Sequence, residues 1–204
     1  MAQEIYSFFE DKLQNQEVAL GNEIGVWDKE RKPIDAVVIH HTEILPGLTK
    51  ERLSAIGLVR LYAPQYAKPS HREDTHVIGK RISSGHVRED RQVFWPYHWI
   101  VRMDGGVEQL LRESEIGWQA GNWDINCRSV AIALDNNYMN SRPDDIVLKT
   151  TAELIRSKYK YIPKDRIYGH REVRLGDPMH CPSNLFLSRK GKKGWKEDLL
   201  DLIF

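Results

Sequence analysis

The feature that most restricts the fold of this chain is a short apolar run at residues 36–40, Ala-Val-Val-Ile-His. The run is rich in β-branched side chains and has no alternation of polar and apolar positions. This pattern is typical of a strand that is buried on both faces. It predicts a strand that ends at His40, where the side chain projects from the end of a sheet and is held rigidly.

Two further stretches have the composition of strands. Residues 97–101 are predicted to form a second strand, which turns at Asp104-Gly105-Gly106 into residues 107–110. A third strand is predicted at residues 129–134, Ser-Val-Ala-Ile-Ala-Leu. Because helices are expected between these strands, the order of elements predicts one α/β or α+β domain.

Helices are predicted where apolar residues recur at helical spacing. They cover residues 3–16, about 50–62, and 143 to about 161, the last with Ile146, Leu154, Ile155 and Tyr159 facing inward. A short amphipathic helix is also expected within residues 191–204, after a basic stretch. Residues 64–93 break these patterns and predict a long insertion, either a mobile surface excursion or a flap whose His71, His76 or His86 touches a substrate.

Composition excludes several classes of protein. Hydrophobic residues make up 41% and charged residues 29% of the 204, as in ordinary globular domains, and a net charge of +1 argues against a nucleic-acid partner. No stretch approaches the ~18 apolar residues of a membrane span, and residues 1–16 lack the apolar core of a secretory signal. Localisation stays open between the cytoplasm, export without a cleaved signal, and a chain whose signal has been removed.

Histidine and cysteine provide the candidate metal ligands. His40 ends the first strand, His170 follows a Tyr-Gly pair, and Cys181 lies eleven residues further on. Imidazole and thiolate are good zinc ligands, and three protein ligands with one open position are typical of catalytic zinc sites. The spacing is not that of a compact zinc finger, so the residues alone leave open whether they bind a metal.

Five short blocks lie in order over about residues 34–186. They are Val37-Val38-Ile39-His40-His41-Thr42, Tyr97-His98-Trp99-Ile100-Val101 with Asp104-Gly105, Trp118-Gln119-Ala120-Gly121-Asn122, Ser129-Val130-Ala131-Ile132-Ala133-Leu134, and Gly169-His170-Arg171-Glu172 through His180-Cys181-Pro182. Taken together and in this order, these blocks resemble the zinc-dependent N-acetylmuramoyl-L-alanine amidases, the family type shared by phage lysozyme-like amidases and peptidoglycan recognition proteins.

The resemblance implies a single domain with a central mixed β-sheet flanked by helices and a Zn²⁺ site at one end of an open cleft. The metal ligands would be His40, His170 and Cys181. Tyr97 would orient or activate the attacking water, and His180 could help at the oxyanion if its ring turns inward. The residues matched to substrate binding are His41, Trp118, Gln119 and Asn122.

Three residues depart from the family pattern. Met179 stands where active members often carry a lysine or threonine that touches the oxyanion, and a thioether cannot donate a hydrogen bond. Ala133 replaces a glutamate that serves catalysis in one branch. Gln119 replaces a histidine, so that a neutral amide stands in place of a titratable ring.

Three functions stay open on this reading. The first is a zinc amidase acting on peptidoglycan or muropeptides as a monomer, with neither nucleic acid nor membrane as partner. The second is a non-catalytic or weakly catalytic muropeptide-binding protein of the same fold, and the third is an amidase redirected to another acylated peptide. The expected division is a helical extension at residues 1–30, the zinc domain at 31–190, and a basic stretch with a short helix at 191–204.

Overall fold

The computed structural model describes residues 27–42, 87–88, 91–92, 96–176 and 180–204. The helices predicted at 3–16 and about 50–62, most of the insertion at 64–93 with its three histidines, and Met179 lie outside the described residues. The chain divides into two compact units, residues 1–29 with 49–95, and residues 30–48 with 96–204. In the first unit, strands β2 (Val87–Arg88) and β3 (Arg91–Gln92) pair in antiparallel fashion.

The second unit is built on a five-stranded sheet. Its strands are β1 (Ala36–His41), β4 (Trp99–Val101), β5 (Val107–Gln109), β6 (Ser129–Leu134) and β7 (Ile167–Gly169). Their order is β5-β4-β6-β1-β7, and β4 with β5 is the antiparallel pair while the other neighbours are parallel. This confirms the predicted α/β fold with a mixed sheet.

The two central strands, β1 and β6, are buried at every position. One face of the sheet carries the large apolar core, which includes Val37, Ile39 and Ile132. The other face carries a smaller cluster around Val38 and Ile125. Because both faces are covered, both strands need apolar side chains throughout, which is why their sequences lack alternation.

Four α-helices are described, α1 (Trp123–Arg128), α2 (Asp145–Lys158), α3 (His170–Val173) and α4 (Trp195–Ile203), with two short 3-10 helices at Trp27–Glu30 and Lys164–Arg166. Leu154, Ile155 and Tyr159 are buried, as predicted. Helix α2 ends at Lys158, slightly before the predicted end at about residue 161. The prediction for Ile146 is wrong, because that side chain is 49% exposed and Val147 and Leu148 are buried instead. One residue along a helix is a rotation of about 100°, enough to move a side chain off the inward face.

The hairpin between β4 and β5 turns at the predicted residues. Gly105 has a φ of +86°, and the Gly106 N–H donates to the Asp104 side chain at 2.8 Å. A positive φ is a conformation in which glycine carries little steric cost. A Cβ on Gly105 would also come within 2.9 Å of the Ile146 side chain, so the turn packs closely on α2.

The C-terminal helix α4 belongs to the main core. Trp195 and Leu199 are 2% and 0% exposed, and the Trp195 ring packs edge-on against Phe186 with 4.6 Å between ring centroids. Leu200 and Ile203 of the same helix are buried as well. No helix in the described part of the chain combines the length and apolar character needed to cross a membrane.

Removing the Trp195 side chain tests how much α4 contributes to stability. Trp195→Ala should lower the free energy of unfolding by about 3–5 kcal/mol, because it empties a large buried site. The matched control is Phe204→Ala, which removes an aromatic ring that is 61% exposed at the chain end. Urea denaturation of both variants measures the difference, and equal small losses would refute the assigned role of α4.

Candidate metal centre

The three predicted ligands converge at one end of the sheet. β1 and β7 are parallel neighbours in which Ile39 pairs with Gly169. His40 and His170 directly follow these paired residues, so both lie at the carboxyl ends of their strands, His40 within β1 and His170 at the start of α3. Their ring centroids are 4.6 Å apart, and the ligand atoms of His40, His170 and Cys181 all lie within 4.8 Å of one another.

Backbone contacts hold Cys181 beside the two histidines. The Arg171 N–H donates to the Cys181 carbonyl at 2.9 Å, and the Arg171 guanidinium donates to the Ser183 carbonyl at 2.9 Å. Gly169 is required at the entry to α3, since a Cβ there would overlap the Phe186 ring and the Pro182 side chain. The loop that carries the cysteine is therefore packed directly against the start of α3.

Burial keeps both imidazoles of the cluster neutral. It lowers the pKa of His40 well below its usual value, and the nearby His170 lowers that pKa further. Burial, followed by the charge of Arg174, lowers the pKa of His170 to about 4. Because the neutral imidazole is the form that binds a metal, both rings are in the ligand-competent state at pH 7.

The ring nitrogens of both histidines face groups of the protein. The Nε2 atom of His40 lies 2.5 Å from Gln119 Oε1, and its Nδ1 atom lies 3.7 Å from Cys181 Sγ. The His170 ring bonds to the backbone of Ala120, while its buried Nε2 atom has no hydrogen-bond partner in the described part of the chain. Such an orphaned nitrogen, next to a second imidazole and a thiol, fits a zinc ion.

Tyr97 lies beside this cluster, which we call the His–His–Cys cluster. Its half-buried ring is tilted by 48° against the His40 ring, with 5.0 Å between centroids. Tyr97 precedes β4, the strand that pairs with β6 next to β1. The sheet therefore places the phenol close to the candidate metal ligands.

The other predicted site residues lie in different settings. His180 is exposed, and Trp118 is 39% exposed and packs edge-on against Trp123, with 5.8 Å between ring centroids. Asn122 caps α1, where its Oδ1 accepts from the Ile125 N–H at 3.4 Å. Roles of His180, Trp118 and Asn122 in catalysis or substrate binding stay predictions.

His41 points away from His40, as successive residues of a strand do. It is 4% exposed, and its Nδ1 atom accepts a hydrogen bond from the Tyr138 N–H at 2.9 Å. Burial lowers the pKa of His41 to about 4. The buried His41 ring therefore has a structural partner in the Tyr138 backbone, and its contact with substrate stays a prediction.

Acid should destabilise the metal-free protein through His41. In the unfolded chain His41 becomes protonated below a pH of about 6.5, whereas in the folded protein it becomes protonated only at about pH 4. Stability is therefore lost as the pH falls through this window, by at most about 3 kcal/mol for this group. His41→Asn keeps an acceptor for Tyr138 without titrating, so urea denaturation should give a smaller loss between pH 7 and pH 4. Equal losses in both proteins would contradict the assignment.

Sequence reasoning missed Asn126 and Ser129. Asn126 Oδ1 accepts from the backbone N–H groups of Gln119 and Ala120 at 3.1 and 2.8 Å, and Ser129 Oγ accepts from Gln119 Nε2 at 3.0 Å. Both side chains are buried. Asn126 lies between the apolar residues Ile125 and Cys127, and Ser129 begins an apolar run, but the partner of each side chain depends on the folded loop.

Comparison with known proteins places the chain in a family. The family model described as N-acetylmuramoyl-L-alanine amidase matches residues 30–184, well over half of the chain. A search of curated proteins finds no match.

Solved structures that are similar to the chain include an endolysin from a Thermus scotoductus bacteriophage, at 17% identity and a TM-score of 0.49, covering 84% of this chain and 86% of that one. The N-acetylmuramoyl-L-alanine amidase LysC from Clostridium intestinale has 19% identity and a TM-score of 0.44, with 82% and 88% covered. Drosophila peptidoglycan recognition protein SD has 18% identity and a TM-score of 0.46, with 82% and 85% covered. On the family match, this chain belongs to the N-acetylmuramoyl-L-alanine amidase family.

Proposed function

We propose that the protein is a zinc-dependent amidase that cleaves the bond between N-acetylmuramic acid and L-alanine in peptidoglycan or muropeptides. The observation that carries the proposal is the His–His–Cys cluster, in which two neutral imidazoles and a thiol lie within ligand distance of one another. Membership of the amidase family supports the same bond as the target.

His40, His170 and Cys181 would hold the zinc ion through two nitrogens and one sulfur. When bound, zinc supplies Lewis-acid chemistry, polarising the scissile carbonyl and lowering the pKa of water toward about 7. The burial of His40 keeps bulk water away from its ring, so this imidazole stays neutral. The polypeptide thereby supplies one thiolate and two fixed imidazoles.

Tyr97 would act on the attacking water. Its ring contacts His40, so its hydroxyl can orient the water that adds to the carbonyl carbon. The carbon–nitrogen bond would then break, the proton given up by the attacking water would pass to the leaving amine of L-alanine, and the muramoyl part would leave as a carboxylate. His180, exposed and adjacent to Cys181, is our candidate to donate a hydrogen bond to the oxyanion.

Trp118 offers a surface for the substrate. Its indole is 39% exposed, so part of the ring is accessible to a sugar. Gln119, the next residue, is 5% exposed and has both ends of its amide bonded inside the protein. We therefore propose substrate contact for Trp118 and a positioning role for Gln119.

One observation favours the non-catalytic alternative. Ala133 pairs with His40 across β1 and β6, and it is fully buried. A carboxylate at this position would lie on the strand next to a zinc ligand, where it could accept a proton. Alanine supplies no such group, which leaves Tyr97 and His180 as the proposed helpers.

The experiment that separates the two functions uses a synthetic muramoyl-peptide. Zinc-loaded protein is mixed with the substrate, and free N-acetylmuramic acid and L-alanyl peptide are followed by mass spectrometry. Release by the wild type, and none by Cys181→Ala, supports the amidase. Saturable binding without release, with zinc present at one equivalent, would overturn the enzyme and support the binding protein.

A further inference from the structure

We propose that Gln119 is a positioning residue that fixes the tautomer and orientation of His40 for zinc, and that the loop carrying it orients both histidine ligands. The proposal rests on the zinc site of the proposed function. Its central observation is the 2.5 Å hydrogen bond between His40 Nε2 and Gln119 Oε1, two side chains that are 1% and 5% exposed.

The amide of Gln119 is held in one orientation. Its Nε2 atom donates to Ser129 Oγ at 3.0 Å, and Ser129 is fully buried at the start of β6. With its nitrogen turned toward Ser129, the amide presents its oxygen to His40. An amide oxygen can only accept, so the proton of the His40 ring must sit on Nε2.

This tautomer leaves the lone pair of His40 on the atom that faces the cluster. Nδ1 lies 3.7 Å from Cys181 Sγ, on the side where the other ligand atoms meet. A histidine ligand whose second nitrogen donates to a fixed acceptor keeps its ring direction and gains basicity. Gln119 therefore fixes the tautomer and the ring orientation of His40 in the metal-free protein.

The same loop serves the second histidine. The backbone of Ala120, the residue after Gln119, interacts with the His170 ring, and the buried His170 Nε2 atom has no hydrogen-bond partner among the described residues. Asn126 accepts from the N–H groups of both Gln119 and Ala120, at 3.1 and 2.8 Å, through one buried oxygen. Consecutive residues thus orient the two imidazoles, and α1 anchors them through Asn126.

The test compares zinc affinity in matched variants of the full chain. Gln119→Met keeps length and volume but removes the amide, and Gln119→Glu keeps an oxygen acceptor. Gln109→Met is the control, because it makes the same substitution at an exposed position in β5. Competition with a chelating dye should give a zinc dissociation constant about 10–100-fold weaker for Gln119→Met. We expect Gln119→Glu to stay close to wild type and Gln109→Met to match it.

A second measurement needs neither a variant nor a metal. Nitrogen-15 NMR of the metal-free wild-type protein should show His40 protonated at Nε2, and protonation at Nδ1 would overturn the proposal even if Gln119→Met failed to fold. Equal zinc affinity of wild type and Gln119→Met would also overturn it. Failure of zinc-loaded wild type to hydrolyse muramoyl-peptide would instead overturn the proposed function alone.

Discussion

Replacing Cys181 with alanine should remove zinc from the protein and abolish amide hydrolysis. The substitution deletes the one thiolate of the His–His–Cys cluster and leaves two neutral imidazoles. Loss of a group that merely orients a ligand weakens a metal site by about 10–100-fold. Loss of the ligand itself should therefore weaken zinc binding by well over 100-fold. Metal content after dialysis, measured by plasma mass spectrometry, checks the result.

The second cysteine of the chain gives the matched control. Cys127 is 2% exposed in α1 and does not belong to the cluster. Cys127→Ala makes the same change and should keep one zinc per chain. If Cys181→Ala also keeps one tightly bound zinc, the ligand assignment is wrong.

Replacing Tyr97 with phenylalanine should slow hydrolysis while zinc stays bound. The change removes the phenol hydroxyl and keeps the ring that packs against His40. Because positioned proton-transfer groups contribute about 10²–10⁴-fold, we expect kcat to fall within that range. Steady-state kinetics on the muramoyl-peptide, together with zinc content, measures both effects.

Tyr161 provides the control for the lost hydroxyl. It is 60% exposed after α2, and Tyr161→Phe should leave kcat and KM unchanged. A Tyr97→Phe enzyme with wild-type kcat would remove Tyr97 from the mechanism. A variant that also loses zinc would assign Tyr97 to the stability of the site rather than to the reaction.

The central strands and their burial could be predicted because both follow from the side chains of a short stretch of sequence. The run that ends at His40 and the run at residues 129–134 are apolar throughout, and both form strands that are covered on both faces. Helix α2 was also predicted, but its inward face was wrong at Ile146. Whether Ile146 is buried depends on how α2 is rotated against the sheet, and the sequence pattern near the start of the helix does not determine that rotation.

The cluster itself could not be predicted from spacing. His40 and His170 come together because β1 and β7 pair in parallel, although the two strands are far apart in the chain. The resemblance to the amidase family, rather than the spacing, predicted that His40, His170 and Cys181 lie together. It did not supply the partner of Gln119, since the hydrogen bond to His40 depends on a loop that is anchored by Asn126.

The most direct test of the central claim is zinc K-edge X-ray absorption of the purified protein. Ligation by His40, His170 and Cys181 predicts one sulfur at about 2.3 Å and two imidazole nitrogens at about 2.0–2.1 Å, with a fourth light atom. The sulfur signal should disappear in any metal that Cys181→Ala retains at high zinc concentration. A wild-type spectrum without sulfur, or with two sulfurs, would contradict the site.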